Sequence, residues 1–314
     1  DERHKTEMLA MGEWRATAPG DGGKTAGFHL SSLYSPLGWK SWAEIVEDFL
    51  KSKGDAPRLK TWVNTTLAET WEEDYAAKVG ADTLMERLEF YTPRVVPERG
   101  VVITVGVDVQ DNRLAVSVWA WGREEEGWLL DHQEIFGDPA GREVWAQLDQ
   151  VILQPFAHET GAPLKPDVIA IDSGGHFTSE VYQYARERRE RGVVAIKGQS
   201  QRGKPPIGKA SKVDINWKGR ALKGGAEVFP VGSDTIKTTL FGRLRHNDPG
   251  PGYLHFHAEL EAEYFQQLTA EKQVVKFVKG FPVREWVKKP SARNEALDCM
   301  VYAYAALQIG RAHV

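Results

Sequence analysis

The sequence predicts a mixed α/β fold: an antiparallel three-strand meander followed by parallel strand–helix units and flanking helices. Two β-branched runs separated by a polar turn, two later short apolar runs alternating with helical spacings, and an apolar closing helix predict it. Val101 to Val109 and Leu114 to Gly122 are the first two strands, and Gln110, Asp111, Asn112 and Arg113 make the hairpin turn between them. Trp128 to Phe136 is a third strand. Arg142 to Phe156 has helical spacing through Val144, Trp145, Leu148, Val151 and Ile152. A short strand, Val168 to Ile171, an amphipathic helix, Phe177 to Arg191, and another strand, Val193 to Ile196, follow. The order β-β-β-α-β-α-β is the ribonuclease-H-like plan. Beyond it, Lys197 to Lys223 reads as a loop or β-hairpin insertion, and Ser233 to His246 as a helix. Tyr253 to His257 is a short strand, Glu259 to Leu268 a helix, and Gln273 to Phe277 with Pro282 to Lys288 a hairpin. Asn294 to Gln308 closes the chain as a helix.

The texture changes near residue 98, so residues 1–98 are expected to form a Trp-rich linker region and residues 99–314 the α/β domain. In the linker, Ser41 opens a helix with Trp42, Ile45, Val46, Phe49 and Leu50 on its apolar positions, and Glu69 to Val79 is a second candidate. The rest is expected to be extended and ordered, because its tryptophans need something to pack against.

With 41% hydrophobic and 27% charged residues, the composition is that of a globular chain. No apolar run approaches the length of a membrane span, and the charged start, Asp1 to Glu7, is no signal peptide. The first residue is not Met, which fits a piece of a longer protein. One cysteine, Cys299, excludes a disulfide within the chain and a cysteine-based zinc cluster, and fits a reducing compartment. The net charge is −4, yet Arg186 to Lys223 holds twelve Lys or Arg against three acids. That segment is a candidate phosphate-binding surface through Lys197, Arg202, Lys204, Lys209, Lys212, Lys218 and Arg220; the plainer reading is a solvated helix face and loop.

Three acids interrupt apolar elements. Asp108 ends the first strand, among Val105, Val107 and Val109; its plain alternative is a turn-starting aspartate. Asp172 ends a later strand before Gly174 and Gly175; its alternative is a helix N-cap, a job open to Ser173 or Thr178. Asp298 lies beside the apolar face of the closing helix; its alternative is an acid near the helix's positive end. Together, as catalytic residues and metal ligands, they could hold two divalent ions for phosphodiester hydrolysis. Hard oxygen ligands call for Mg²⁺, with Mn²⁺ as a substitute. Glu295, His176 and Asp111 are auxiliary candidates, His176 and Asp111 reading first as turn residues. His255 and His257 share a strand face but lack a third zinc ligand. Ala18 to Thr25 fits a relaxed phosphate loop, but it lacks the leading glycine, the preceding buried strand and the following helix, so no nucleotide site is expected.

Several segments resemble the large terminase subunit of tailed bacteriophages, of the GpA type. Phe28-His-Leu-Ser-Ser-Leu-Tyr-Ser-Pro-Leu-Gly-Trp-Lys-Ser-Trp42 is similar to that family's segment beyond its ATPase module, and Asn64-Thr-Thr-Leu-Ala-Glu-Thr-Trp-Glu72 to another landmark. Gly106 to Leu114, Ile171 to Gly175 and Leu297 to Cys299 resemble its three nuclease motifs, in the family's order. The resemblance implies the nuclease part of a motor that cuts concatemeric viral DNA and pumps it into a procapsid. It also implies an upstream ATPase module outside this chain, a small terminase subunit and the procapsid portal as partners, double-stranded DNA as substrate, and the infected host's cytoplasm as location. Two other readings stay open: a non-catalytic DNA-binding and docking module whose acids are structural, and a resolvase- or transposase-type enzyme, which would not need the Trp-rich lead-in.

Overall fold

The computed structural model describes residues 4–15, 27–52, 56–69, 79–199, 203–217, 220–278 and 281–312. The chain forms two compact units, residues 1–77 and 78–314. The phosphate-loop-like segment, Ala18 to Thr25, and most of the helix expected over Glu69 to Val79 lie outside the described residues.

In the first unit the expected helix is present as Trp42–Ser52. A capping box starts it: the Glu44 N–H donates to Ser41 Oγ (3.1 Å) and the Ser41 N–H donates to Glu44 Oε2 (2.7 Å). A helix not foreseen, Ala56–Trp62, runs on into a π-helical turn, Val63–Leu67. Trp62 anchors it, donating from Nε1 to the Ile45 carbonyl (3.3 Å) and packing on the Phe49 ring (centroids 5.1 Å apart). Among the described residues Ile45 is the only buried hydrophobic side chain of this unit, and Trp14 and Trp39 are exposed. The expectation that the tryptophans require cover within the lead-in is therefore corrected.

The second unit is built on one eight-stranded sheet. Its elements in chain order are β1 (Val102–Val109), β2 (Arg113–Trp121), β3 (Gly127–Phe136), α1 (Glu143–Ile152), β4 (Val168–Asp172), α2 (Thr178–Glu187), β5 (Val193–Gln199), β6 (Ser211–Trp217), β7 (Arg220–Gly232), α3 (Ser233–Arg243), β8 (Leu254–His255), α4 (Ala262–Leu268), β9 (Glu271–Val278), β10 (Phe281–Lys288) and α5 (Glu295–Ala312). The spatial order is β8-β3-β2-β1-β4-β5-β7-β6; β9 and β10 form a separate hairpin. β1 to β3 are an antiparallel meander, and β4 and β5 add in parallel beside β1. This is the ribonuclease-H-like arrangement that the element order predicts. The basic insertion is more than a loop: β7 extends the sheet in parallel with β5, and β6 closes that edge.

Residues 79–98 pack with this unit, although they precede the change in texture at 98/99. Leu84 and Val96 are fully buried, the Tyr91 hydroxyl donates to the Leu129 carbonyl (2.8 Å), and Val95–Val96 pairs with Phe156–His158. The segment has little regular structure of its own, so sequence periodicity does not reveal its attachment.

Helices cover both faces of the sheet, and β1 is read in alternation. Ile103, Val105 and Val107 face one core with Val144, Leu148 and Val181 of α1 and α2. Thr104, Gly106 and Asp108 face α5. Thr104 Oγ1 donates to the Ala303 carbonyl (2.8 Å), and a Cβ on Gly106 would sit 1.9 Å from Cys299 O and 2.6 Å from Ala303 N. α5 therefore lies directly on the β1 backbone, a closeness that only glycine permits. The helix is also buried far more widely than the one-faced pattern suggests: Ala296, Leu297 and every residue from Cys299 to Leu307 are buried. At its far end, Glu125 accepts from the Tyr304 hydroxyl (2.7 Å) and Gln308 Nε2 (3.2 Å).

A Gly106→Ala substitution is expected to destabilise the protein by about 3 kcal/mol or more, because the atoms it meets are backbone and have no rotamer escape. Urea unfolding checks this; an unchanged midpoint would mean that α5 is free to shift.

Candidate active site

Asp108 and Asp172 meet because β1 and β4 are parallel neighbours in register, Val107 opposite Ile171. Both carboxylates end their strands on the side that α5 covers, and α5 brings Asp298 to the same place. The three influence one another through space. Burial, and then the charges of Asp298 and Asp172, push Asp108 up to about 8. Burial pushes Asp298 up to about 6, with Lys237 opposing and Glu271 and Asp172 adding to the shift. Burial also raises Asp172, against the N–H groups of Gly174 and Ser173, the Tyr302 hydroxyl and the Lys197 charge. Like charges buried together hold protons unless a cation joins them.

Each acid has its own holder. Gln110 Nε2 donates to Asp108 Oδ2 (2.6 Å), and the Gly174 N–H donates to Asp172 Oδ1 (3.1 Å). Asp172 therefore bonds local backbone. Neither proposed cap takes the start of α2: Ser173 Oγ donates to the Ile196 carbonyl, and Thr178 Oγ1 to the carbonyls of Ser173 and Gly175. Asn294 Nδ2 donates to Asp298 Oδ2 (2.8 Å) and to Glu271 Oε1 (2.8 Å), and Lys237 Nζ donates to Glu271 Oε1 (2.7 Å). Burial works against the Lys237 charge, but Asp298 and Glu271 outweigh it and raise its pKa. Lys237, Glu271 and Asn294 were not singled out in the sequence. Lys237 left a trace there, a lysine three and four residues before the buried Leu240 and Phe241; Glu271 and Asn294 left none.

The donor set suits a divalent cation: hard carboxylate oxygens, partly shielded from water and mutually repelling. Among the described residues no three acid, His or Cys side chains are already closed around a common point. Asp108, Asp172 and Asp298 are a convergent set, each turned onto its own neighbour.

The auxiliary candidates separate from this set. Glu295 is buried in an ion-pair network with Arg113 and with Arg293, whose Nε lies 3.1 Å away, which takes up its charge. His176 and Asp111 pair with each other at 3.1 Å, both exposed. His255 stands between Glu89 (2.8 Å) and Glu126 (3.1 Å), and His257 packs on the Tyr91 ring. The basic residues also divide. Lys197 acts on Asp172, and Lys204 and Lys209 lie along the carboxyl end of β7, where the Lys204 carbonyl accepts from Thr235 and Gly208 bonds Pro230. Lys212 instead lines a cavity of about 590 Å³ with Lys223, Arg189, Val168, Gly192 and Ile309. Val168 is four residues, about 13 Å, along β4 from Asp172. Arg202 and Lys218 lie outside the described residues, and of Arg220 the backbone alone is described. The four described candidates, Lys197, Lys204, Lys209 and Lys212, thus do not share one surface, because β6 and β7 run along the sheet.

Among the described residues no helix is long and apolar enough to cross a membrane. The sequence profile of the terminase large subunit gpA endonuclease domain matches residues 25–313. The terminase large subunit of Escherichia phage lambda is 37% identical over 289 residues, and that of Enterobacteria phage P21 36% over 294. Each alignment covers 90% of this chain and 43% of the relative, so the chain spans less than half the length of these proteins. The RuvC structure from Thermus thermophilus superposes over 67% of this chain and 97% of its own, at 13% identity and a TM-score of 0.30, a likeness too loose to add to the strand order. The chain belongs to the terminase large subunit gpA family, and the region it represents is that family's endonuclease domain.

Proposed function

We propose that this chain is a divalent-metal-dependent endonuclease that cuts double-stranded viral DNA during genome packaging. The observation that carries the reading is the convergence of Asp108, Asp172 and Asp298, one buried and two half-buried acids on three elements, with Asp172 and Asp298 raising the proton affinity of Asp108 and Asp172 that of Asp298. Asp108, Asp172 and Asp298 would hold the metal, Mg²⁺ with Mn²⁺ as its substitute. A bound divalent ion supplies Lewis-acid polarisation of the phosphodiester and an activated water, and three carboxylates have the capacity for two such ions. Gln110, the Gly174 N–H and Asn294 orient the ligand oxygens. Lys197, Lys204 and Lys209 offer positive charge at the same end of the sheet to DNA phosphates.

Family membership supports the wider setting: an upstream ATPase module, a small terminase subunit, a procapsid portal, and action in the infected cell's cytoplasm. This chain is expected to hydrolyse no ATP. A docking module with structural acids is the second reading; its support is that both oxygens of Asp298 already have protein partners.

Plasmid nicking with Mg²⁺ or Mn²⁺ separates the two. Asp108→Ala, Asp172→Ala and Asp298→Ala are each expected to lower nicking by about 10³-fold or more while remaining folded. A triple variant that nicks like wild type would show the site assignment to be wrong, and a wild type that does not nick would favour the docking module.

The acids also set a pH dependence. Asp108 is raised from 3.8 to about 8, so the metal-free folded state holds a proton that the unfolded chain releases. The stability it confers is full below about 4 and is lost as pH rises towards 8, by up to about 1.4 kcal/mol per pH unit. In EDTA, Asp108→Asn is expected to flatten that decline and to be more stable than wild type at pH 8. Equal pH slopes in thermal melts would contradict this.

Neutralising Lys197, Lys204 and Lys209 together is expected to lower the salt slope of DNA affinity by up to about 3. Neutralising Lys212 and Lys223 should leave it unchanged. The reverse result would move the DNA surface to the other end of the sheet.

A further inference from the structure

The three acids are not equivalent in the charge they meet. Lys237 of α3 brings its Nζ to 3.4 Å from Asp298 Oδ1 and 2.7 Å from Glu271 Oε1, with only 11% of its side chain exposed. Asn294 Nδ2 bonds the other oxygen of Asp298 and the same oxygen of Glu271. Glu271, Lys237, Asn294 and Asp298 therefore form a closed four-membered network, and both oxygens of Asp298 are engaged. Asp108 and Asp172 are held by neutral donors, Gln110 and the Gly174 N–H. Among the described residues no cation makes ion-pair contact with either. Lys197 acts on Asp172 only from beyond ion-pair contact, whereas the Asp298 side already has a cation in contact with it.

A buried ammonium against a carboxylate performs part of the electrostatic work of a metal ion: it neutralises the oxygen and excludes a second cation from the same position. The lysine is kept there by two carboxylates, since a buried ammonium without partners is costly. Its contact with Glu271 is the shorter, so the contact with Asp298 is the one to give way.

We infer that Lys237 is the resident cation of the Asp298 half of the site. The DNA-free protein loads one divalent ion, between Asp108 and Asp172, and takes a second at Asp298 only when Lys237 moves off it. Lys237 is then a positioning residue that sets the metal stoichiometry. The inference rests on the metal-dependent reading above and deepens it.

The test is the number of Mn²⁺ ions bound by the DNA-free chain, counted by electron paramagnetic resonance of the free ion during titration. Wild type is expected to take one tightly bound ion. Lys237→Met should take two, the second at least tenfold tighter than in wild type, and Lys237→Arg, which keeps the charge, should take one. Lys237→Met combined with Glu271→Gln removes opposite charges together; it should also take two, and it decides the matter if the single variant does not fold. Two equally tight ions in wild type, or a single ion in the double variant, would overturn the inference. Asp108→Asn tests the underlying reading separately: it should abolish the tight ion, and an unchanged count there would refute the metal site itself rather than the part of Lys237.

Discussion

The contact on which the second unit depends is the one between α5 and the backbone of β1 at Gly106. A helix normally stands about 10 Å from a sheet because side chains lie between them. Here the facing side chains of β1 are Thr104, Gly106 and Asp108, and the Cys299 carbonyl and the Ala303 amide come down onto the glycine. Thr104 is hydrogen-bonded to the Ala303 carbonyl, and the Cys299 thiol bonds the Ala115 carbonyl (3.2 Å) on the neighbouring strand. This approach fixes the rotation and the height of α5. It therefore carries Asp298 to the strand ends where Asp108 and Asp172 already lie side by side.

Such proximity has an electrostatic consequence. Three acids on rigid elements have no freedom to move apart, so their repulsion and desolvation are built into the fold. Part of that burden is met internally: Lys237 and Asn294 hold Asp298, and Lys197 acts on Asp172. The remainder falls on Asp108, the most deeply buried of the three and the one whose proton affinity is raised furthest, to about 8. A site that holds protons in isolation is one in which a cation has most to gain on entry. The same logic separates Glu295 from the set. Although it is on the same helix, Arg113 and Arg293 satisfy it, and its charge is the smallest of the acid contributions that raise Asp108.

The basic segment shows how sequence proximity and spatial proximity diverge. Its residues are close in the chain, but β6 and β7 form a hairpin that runs along the sheet, so the described ones are distributed from one end to the other. Lys197 acts on Asp172 and Lys204 and Lys209 lie along the carboxyl end of β7, whereas Lys212 and Lys223 border a cavity beside Val168 and Ile309. A charge count over a window registers none of this.

The meander, the parallel units, the hairpin of β9 and β10 and the closing helix were legible in the sequence because each is a local periodicity: β-branched runs, turn residues, and apolar positions three and four apart. The three aspartates were legible because a carboxylate inside an apolar element is costly and conspicuous. The short helix and the two- and three-residue strands of residues 79–98 and 156–164 were not, since their order comes from packing on the sheet and not from their own pattern. Nor were Glu271 and Asn294, which are ordinary residues until α3, β9 and α5 are brought together, nor the all-round burial of α5, which its one-faced pattern understated. The sequence by itself determined the fold class and the three candidate acids, through local pattern and the cost of burying charge. Tertiary structure alone decided which partner each acid meets, which lysines stand near them and how close α5 comes to β1, because those are distances between segments far apart in the chain.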